Sequence, residues 1–373
     1  MGFETFIGNR EAVAVVRGML ASGRLPGALL FTGPDGVGKK TLALMLAKAL
    51  NCERGGDDFC GACARCRKAD EMLAAAREDL ARRRESKDAA KRVEGLVYFD
   101  LQLIEPLTRY ILIEQIRQLR SAAYTHPFEF ARRVFVIDEA QAIHWQAGDL
   151  LLKVLEEPPE TTTLILVCPN AYELRPTIRS RCRRVAFQPV DESTLSALLA
   201  EEGRVPKAQR ALTARVAAGS VAKAKSFDLA EFERRRRPWF DFLTELSARA
   251  HEPTAAPDWN VLFDSTRALT ENRDDFEETL RAGYALLRDL AQIALVGPQA
   301  QVVNVDALPR LRTWAAKLGL ESIARLKEGL DEAYRLQVRN VNQQLGLEAV
   351  ALDVLEKAAS SAAPATWPRR RVE

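Results

Sequence analysis

The 373-residue sequence lacks the features of a membrane-spanning or secreted protein. No stretch approaches the roughly 20 apolar residues that a membrane span needs, and the first residues, MGFETFIGNREAV, do not combine a basic segment with a long apolar run. Charge of one sign is not in excess, because the formal net charge is only +3. This small charge gives no global case for nucleic-acid binding, although local basic patches are compatible with it. We therefore expect a cytoplasmic protein with no membrane contact.

Cysteine is sparse and unevenly placed. Four of the six cysteines follow the spacing C-x7-C-x2-C-x2-C, whereas Cys168 and Cys182 are isolated and are expected to be buried or half-buried. Four thiolates in so short a stretch can surround one zinc ion and leave no open coordination position, so the spacing favours a structural zinc knuckle at 52–66. A redox dithiol and free thiols are the alternatives. The four candidate ligands are Cys52, Cys60, Cys63 and Cys66.

Short apolar runs alternate with helical patterns over the first 188 residues. Runs at 28–32, 133–138 and 163–167 are typical of buried strands. Apolar residues at helical spacing follow the first run at 41–50, and a further helix is expected from about 146 to 155. Strands that alternate with helices predict an α/β domain with a doubly wound parallel sheet.

Beyond this α/β region, which we place at 1–188, no convincing strand pattern is present. We expect a small helical domain at 189–230, a larger helical domain at 231–357 and a disordered tail at 358–373, which is rich in small residues, Pro and Arg. A densely charged, Ala-rich segment at 69–95 is expected to be an exposed helix or helical pair inserted into the first domain.

A glycine-rich turn, GPDGVGK, lies between the first predicted strand and the helix that follows it. Glycines allow the backbone amides to curl around phosphate oxygens, the helix N-terminus adds a favourable dipole, and Lys39 would reach the terminal phosphates. A glycine turn without a ligand is the plain alternative. The context favours a nucleotide-binding loop built on Gly33, Gly36 and Gly38.

One residue departs from the phosphate-loop pattern. The position after the lysine is ordinarily Ser or Thr, whose hydroxyl holds magnesium, but here it is Lys40, and Thr41 comes one place later. A second ammonium group supplies no metal ligand and repels the cation. We therefore expect that ATP can still bind through backbone amides and Lys39 and that hydrolysis is inefficient. The alternative is that Thr41, one place later, supplies the hydroxyl and restores magnesium binding.

Two adjacent carboxylates, Asp138 and Glu139, close the second predicted strand. In a P-loop ATPase the aspartate holds magnesium and the glutamate polarises the attacking water. An acidic pair at a strand end is also common surface chemistry, but its place after a lysine loop favours the functional interpretation. Asn170, just after the third strand, fits a polar group that orients the water, or it belongs to an ordinary Pro-Asn turn.

Several blocks of this sequence together resemble clamp-loader subunits of bacterial DNA polymerase III, most closely the delta-prime type, which belong to the AAA+ proteins. The resemblance covers roughly residues 3–355. Its most specific part is LEEPP followed by an SRC triplet. The blocks are ALLFTGPDGVGK, the cysteine knuckle that begins at Asn51, ILIEQIRQLR, VIDEAQAIHWQAGDLLLKVLEEPPETT and LRPTIRSRCRRVAFQPV.

The resemblance implies an AAA+ domain, a helical lid domain and an all-α collar through which subunits form a ring. It also implies that Arg181, the arginine of SRC, acts in trans as a finger on ATP bound by a neighbouring subunit. Without the resemblance, a surface arginine in a basic turn would be the simpler interpretation. GSVAKA resembles the lid motif, in which motor subunits carry arginine where this chain has Ala222, and 340–345 resembles the end of the collar.

Three functions are compatible with these residues. The one we favour is a delta-prime-like subunit that assembles with gamma/tau and delta subunits, helps to load the sliding clamp on primed DNA and hydrolyses little or no ATP itself. The second is an active gamma/tau-type motor, which Lys39, Asp138 and Glu139 support. The third is a simple nucleic-acid-binding zinc protein, for which the arginine runs at 234–237 and 369–371 are the only further support.

Overall fold

A computed structural model of the chain describes residues 2–251, 259–271, 275–337 and 342–362. The chain divides into two compact units. The first comprises Met1–Glu202 and Ala217–Lys225, and the second comprises Gly203–Val216 and Ser226–Glu373. The domain boundaries expected near residues 188 and 230 remain predictions.

The described residues form five strands and fifteen α-helices, which turns and loops connect. The strands are β1 (Ala28–Thr32), β2 (Leu101–Ile104), β3 (Arg133–Ile137), β4 (Thr162–Cys168) and β5 (Arg183–Ala186). The α-helices are α1 (Arg10–Ala21), α2 (Lys39–Ala49), α3 (Ala64–Glu85), α4 (Ala89–Val93), α5 (Ile113–Ala123), α6 (Trp145–Glu156), α7 (Pro176–Arg179), α8 (Glu192–Glu202), α9 (Arg210–Val216), α10 (Val221–Ser226), α11 (Leu229–His251), α12 (Trp259–Leu269), α13 (Phe276–Val296), α14 (Leu308–Gln337) and α15 (Gln343–Ala362).

The five strands form one parallel sheet in the order β2-β3-β4-β1-β5. Residues of β1, β3 and β4 are buried along their whole length, as expected for parallel strands that are covered on both faces. Because all strands run the same way, the segments that follow β1, β2, β3 and β4 emerge at one edge of the sheet. That edge carries the glycine-rich turn and the acidic pair.

The predicted architecture is confirmed: an α/β domain with a parallel sheet, a glycine-rich turn after its first strand and a cysteine cluster, followed by helical regions. The three predicted strands correspond to β1, β3 and β4, and the two predicted helices to α2 and α6. Strands β2 and β5 are not among the predicted strands. β5 is an edge strand with only Val185 buried, so it lacks the continuous apolar run of the central strands.

The charged segment at 69–95 forms a helical pair, α3 and α4, as predicted, but α3 is not wholly exposed. It buries one face through residues at helical spacing, namely Ala69, Leu73, Ala76 and Leu80. Small alanines let this face pack closely, while the dense charge on the other faces hides the pattern in the sequence. Arg83 joins the two helices, because its Nη1 donates to the carbonyls of Arg92 at 3.0 Å and Glu94 at 2.9 Å.

The described part of the second unit is helical, as expected. Its core forms around Trp239, whose Nε1 donates to the carbonyl of Thr279 at 2.8 Å. Gly283 is required beneath this ring, since a Cβ there would lie 2.5 Å from Trp239. Helix α14 breaks at Gly319, where φ is 68°. Among the described helices none is long and apolar enough to cross a membrane.

Two predictions fall partly outside the described residues. The expected tail begins inside α15, which extends to Ala362, and residues 363–373 with their arginine run lie outside the described part. In the expected collar motif at 340–345, residues 340 and 341 likewise lie outside it.

Candidate nucleotide cavity and cysteine cluster

The glycine-rich turn connects β1 to α2, as the sequence predicted. Gly33, Gly36 and Gly38 all adopt positive φ angles, of 147°, 75° and 98°, a conformation in which side chains are strained. Close approach adds a second requirement at Gly36, where a Cβ would lie 2.0 Å from the Ser220 hydroxyl. The turn thus has the backbone form of a phosphate-binding loop at a helix N-terminus.

A cavity of about 780 Å³ opens at this turn, a size within the range of small-molecule sites. Its apolar lining includes Phe6, Ile7 and Met45. Its charged lining includes Lys39, Lys40, Asp138 and Glu139. An apolar region beside a charged one suits a nucleotide, because the flat faces of its base stack on apolar side chains and its phosphates are anionic.

Lys39 is buried in the loop, with only 7% of its surface exposed. Its Nζ donates to the carbonyl of Gly33 at 2.5 Å and to that of Pro34 at 2.7 Å. The ammonium group is therefore held inside the turn that it is expected to serve. Together, the loop amides and Lys39 fit the phosphates of a nucleotide.

Lys40 points at the carboxylates beside the cavity. Its Nζ lies 3.2 Å from Asp138 Oδ2 and also donates to Glu105 Oε1. The other oxygen of Asp138 accepts a hydrogen bond from the backbone N–H of Glu139 at 3.0 Å. Magnesium needs near-octahedral oxygen ligands at about 2.0–2.1 Å. An ammonium group stands against the carboxylate that would hold the ion, so this arrangement does not fit Mg²⁺.

Glu105 is a site residue that the sequence reasoning missed. It follows β2 directly and is buried, and its second carboxylate oxygen forms an ion pair with Arg84 Nη2 of α3 at 2.8 Å. Burial raises the pKa of Glu105, but the hydrogen bond from Lys40 and the charges of Lys40 and Arg84 outweigh burial and leave the pKa below its usual value. A polar residue directly after a strand would have indicated Glu105, but β2 is not among the predicted strands.

Of the other residues predicted for the nucleotide site, some line the cavity and one does not. Thr41 and Ala222 line the cavity, and the N–H of Ala222 donates to the carbonyl of Gly36 at 3.0 Å. Glu139 also lines it and has a left-handed backbone with φ of 50°. Asn170 is not among the residues that line the cavity; its Oδ1 accepts from the N–H of Tyr172 at 3.0 Å, which is the ordinary turn geometry.

Arg181 lies on the surface after α7 and does not line the cavity of its own chain. Its Nη2 pairs with Glu156 Oε1 at 2.7 Å, and its Nη1 donates to the carbonyl of Thr177 at 2.9 Å. The partner Glu156 belongs to the LEEPP segment at the end of α6. The two most specific motifs of the sequence are thus joined by one ion pair.

The four clustered cysteines come together, as their spacing predicted. Their Sγ atoms all lie within 4.8 Å of one another, and those of Cys52 and Cys60 are 3.7 Å apart. Four sulfurs at a zinc–sulfur distance of about 2.3 Å are separated by roughly 3.8 Å in a tetrahedron. The cluster can therefore hold a metal ion of this kind. Cys168 and Cys182 lie outside it, and burial raises their pKa values to about 11 and about 12.

The thiols of the cluster differ in acidity. Hydrogen bonds from the backbone N–H groups of Ala62 and Cys63 lower the pKa of Cys60 to about 6. Burial raises the pKa of the Cys66 thiol to about 12. Thiolates are the form that binds metals, and a cation among them favours that form further.

The knuckle is anchored to the N-terminal segment. Asp58 Oδ1 accepts a hydrogen bond from the N–H of Phe3 at 2.9 Å, and the ring of Phe59 meets that of Phe3 edge-on at 5.6 Å. Asp57 pairs with Arg17 of α1 at 2.6 Å. The segment that begins at Phe3 continues to Phe6 and Ile7, which line the nucleotide cavity.

A family model described as "DNA polymerase III, delta subunit" matches residues 8–191 of the chain. The DNA polymerase III subunit gamma/tau of Mycobacterium tuberculosis (strain H37Rv) is 28% identical over 404 residues, which cover 100% of this chain and 64% of the relative. The delta-prime subunit of Bacillus subtilis is 25% identical over 335 residues, covering 89% and 92%. The tau subunit of Escherichia coli is 31% identical over 231 residues, covering 60% and 32%.

The chain thus spans less than two thirds of the length of the gamma/tau and tau relatives. Among solved structures, a gamma-subunit-related protein of Thermotoga maritima aligns with 93% of this chain and 99% of its own. The TM-score is 0.40 and the sequence identity 16%. A similarity that weak supports no conclusion about function.

Proposed function

Because the chain belongs to the family of bacterial DNA polymerase III clamp-loader subunits, we propose that it serves there as a delta-prime-like subunit. In this role it assembles in the cytoplasm with gamma/tau and delta subunits and helps to open the sliding clamp and load it on primed DNA. It hydrolyses little or no ATP itself and supplies an arginine finger to the ATP site of a neighbouring subunit.

The placement of Arg181 is the observation that carries this proposal. Its guanidinium is fixed by Glu156 and by the carbonyl of Thr177, and it does not line the cavity of its own chain. A planar, permanently charged group held at the surface is suited to neutralise charge on a phosphoryl group bound elsewhere. Insertion into a neighbour's site would require Arg181 to exchange Glu156 for that phosphate.

Two features of the cavity support the absence of hydrolysis in this subunit. Lys40 stands where a metal-binding hydroxyl is needed and contacts Asp138 instead. Ala222, at the place of the lid arginine of motor subunits, lines the same cavity but has no charged group to offer the phosphates. The two departures act on different parts of the nucleotide, the metal and the phosphates.

An active gamma/tau-type motor is the alternative. Its support is the similarity to gamma/tau relatives over the whole chain and the presence of Lys39, Asp138 and Glu139 beside the cavity. A motor would need Thr41 or another ligand to replace the missing hydroxyl.

For the cysteine cluster we propose one structural zinc ion. Four thiolates close the tetrahedral coordination shell and leave no position for substrate. When bound, the ion would be held by Cys52, Cys60, Cys63 and Cys66, and its contribution would be to the stability of the knuckle and of the N-terminal segment that the knuckle anchors.

The arginine-finger proposal is tested in a clamp loader reconstituted with gamma/tau and delta subunits. ATP turnover stimulated by primed DNA and clamp is measured for wild type and Arg181→Ala. Loss of an arginine finger lowers kcat on the order of 10³-fold or more at the site it serves. The ATP turnover of the whole complex should therefore lose the fraction that this neighbouring site contributes. The complex should still assemble. The matched control is Arg183→Ala, which removes an exposed arginine of β5.

Equal turnover of Arg181→Ala and Arg183→Ala complexes would contradict the finger assignment. The motor alternative is tested in the same complex by measuring ATP turnover with Lys39→Ala in this chain. Unchanged turnover of that variant is expected if the subunit does not hydrolyse ATP, and a loss comparable to that of a motor subunit's own lysine variant would favour the motor.

A further inference from the structure

The charged end of the nucleotide cavity holds a closed ion network. Lys40 bridges Asp138 and Glu105, and Arg84 pairs with the second oxygen of Glu105. Two cations therefore face two carboxylates, and the formal charges of these four side chains sum to zero. Each carboxylate uses both of its oxygens, since the remaining oxygen of Asp138 accepts from the N–H of Glu139.

Burial fixes this network in place. The side chain of Glu105 is only 9% exposed, so its charge must be matched by close cations. Lys40 supplies one from α2, and Arg84 supplies the other from the charged helix α3, where its Nε also donates to the carbonyl of Pro106 at 3.0 Å. Because Glu105 is held on both sides, the Lys40 ammonium is directed toward Asp138.

A divalent cation is incompatible with this arrangement. Placed beside Asp138, it would add two positive charges to a network that is already neutral, within a few ångströms of the Lys40 ammonium. The same position offers no hydroxyl ligand, and magnesium gives up its waters reluctantly for incomplete sites. Phosphates, by contrast, find the amides of the loop together with Lys39 and Lys40, which both line the cavity.

We propose that Lys40 replaces magnesium as the cation of this site, and that the cavity binds a nucleoside triphosphate without a divalent metal. The inference rests on the proposed role as a subunit that does not hydrolyse ATP, and it names the form of the ligand that such a subunit takes. A nucleotide held in this way is a resident ligand, because its phosphates lack the metal that hydrolysis requires. The charged segment of α3 acquires a role as well, since Arg84 positions Lys40 through Glu105.

The test is equilibrium binding of the fluorescent nucleotide mant-ATP to the full chain, in excess MgCl₂ and in excess EDTA. The wild-type protein should bind in EDTA with an affinity equal to or greater than that in MgCl₂. In Lys40→Thr, which restores the hydroxyl, binding in MgCl₂ should become at least about tenfold tighter than in EDTA, a difference of about 1.4 kcal/mol. Lys91→Thr, at an exposed lysine of α4, is the matched control and should behave like wild type.

A second variant separates the hydroxyl from the charge. Lys40→Met removes the ammonium without adding a ligand, so its affinity for mant-ATP in EDTA should be lower than that of wild type. MgCl₂ should raise this affinity by a smaller factor than it does for Lys40→Thr. Thermal unfolding of each variant establishes that it is folded, which is expected because Glu105 keeps Arg84 as a partner. Lys39→Ala should weaken binding under both conditions.

Two results would overturn the inference. One is wild-type binding that is at least about tenfold weaker in EDTA than in MgCl₂, and the other is a folded wild-type protein that binds mant-ATP under neither condition. Neither result bears on the Arg181 proposal, which is tested by turnover at a neighbouring subunit. Conversely, an Arg181→Ala complex with normal turnover would leave metal-free binding by this chain intact.

Discussion

At the scale of single residues, Asp100 is a carboxylate buried in the first unit, with only 2% of its surface exposed. Its Oδ2 accepts from the N–H groups of three consecutive residues, 128–130, and its Oδ1 pairs with the buried Arg133 at 2.9 Å. One carboxylate thereby fixes the loop before β3 and neutralises a cation inside the protein. Removal of one partner of such a buried pair strongly lowers the free energy of unfolding, because the remaining charge is neither paired nor solvated.

Asp100→Ala should therefore lower the free energy of unfolding by about 3–5 kcal/mol, measured by urea unfolding. The control is Asp149→Ala, which removes the partner of Arg175 from an exposed pair and should cost less than about 1 kcal/mol. Similar losses for the two variants would contradict the assignment of a special role to burial.

The contribution of Asp100 should also depend on pH. Burial raises its pKa, but the backbone N–H groups and Arg133 outweigh burial and hold the pKa below its ordinary value. The native state therefore binds its proton less readily than the unfolded chain, whose aspartate pKa is about 3.9. The stabilisation is fully present above that pH and is lost as the pH falls through the native pKa. The difference between wild type and Asp100→Ala should accordingly shrink in strong acid.

At the scale of elements, hydrophobic pattern accounts for what the sequence could predict. The strands β1, β3 and β4 are continuous apolar runs, and the glycine turn and the cysteine spacing mark their own places. The pattern could not reveal β5, whose residues are mostly exposed, or the buried face of α3, in which small alanines alternate with leucines. Arg84 and Glu105 were missed because their partnership joins residues on different elements, and no local spacing encodes it.

The cysteine knuckle is the element whose prediction is easiest to test. Cys63→Ser should lose bound zinc, measured by atomic absorption on the purified chain, and should lower the melting temperature by about 5–10 °C, because a structural metal contributes directly to folding. Cys182→Ser is the matched control, since that thiol lies outside the cluster, and it should keep its zinc. An undiminished zinc content in Cys63→Ser would show that this thiol is not a ligand.

At the scale of the whole molecule, the question is whether the chain alone is a nucleic-acid-binding protein. The arginine run at 234–237 was the main sequence support for that function within the described residues. Three arginines of this run make contacts within the protein. Arg236 is buried between the rings of Phe232 and Phe240, with its guanidinium 4.9 and 4.8 Å from their centroids, and Arg234 and Arg235 both pair with Glu231 of the same helix.

This division within one run predicts that neighbouring arginines differ in their contribution to stability. Arg236 donates to Asn304 at 3.0 Å and to Asp306, so Arg236→Met should lower the free energy of unfolding by about 2 kcal/mol or more and leave the affinity for duplex DNA unchanged. Arg237→Met, at an exposed position, should change neither. Anisotropy of labelled duplex DNA over a range of salt concentrations measures affinity. Tight, steeply salt-dependent binding that Arg237→Met weakens, with a salt slope reduced by about 1, would instead identify a phosphate contact and favour direct DNA binding by this chain.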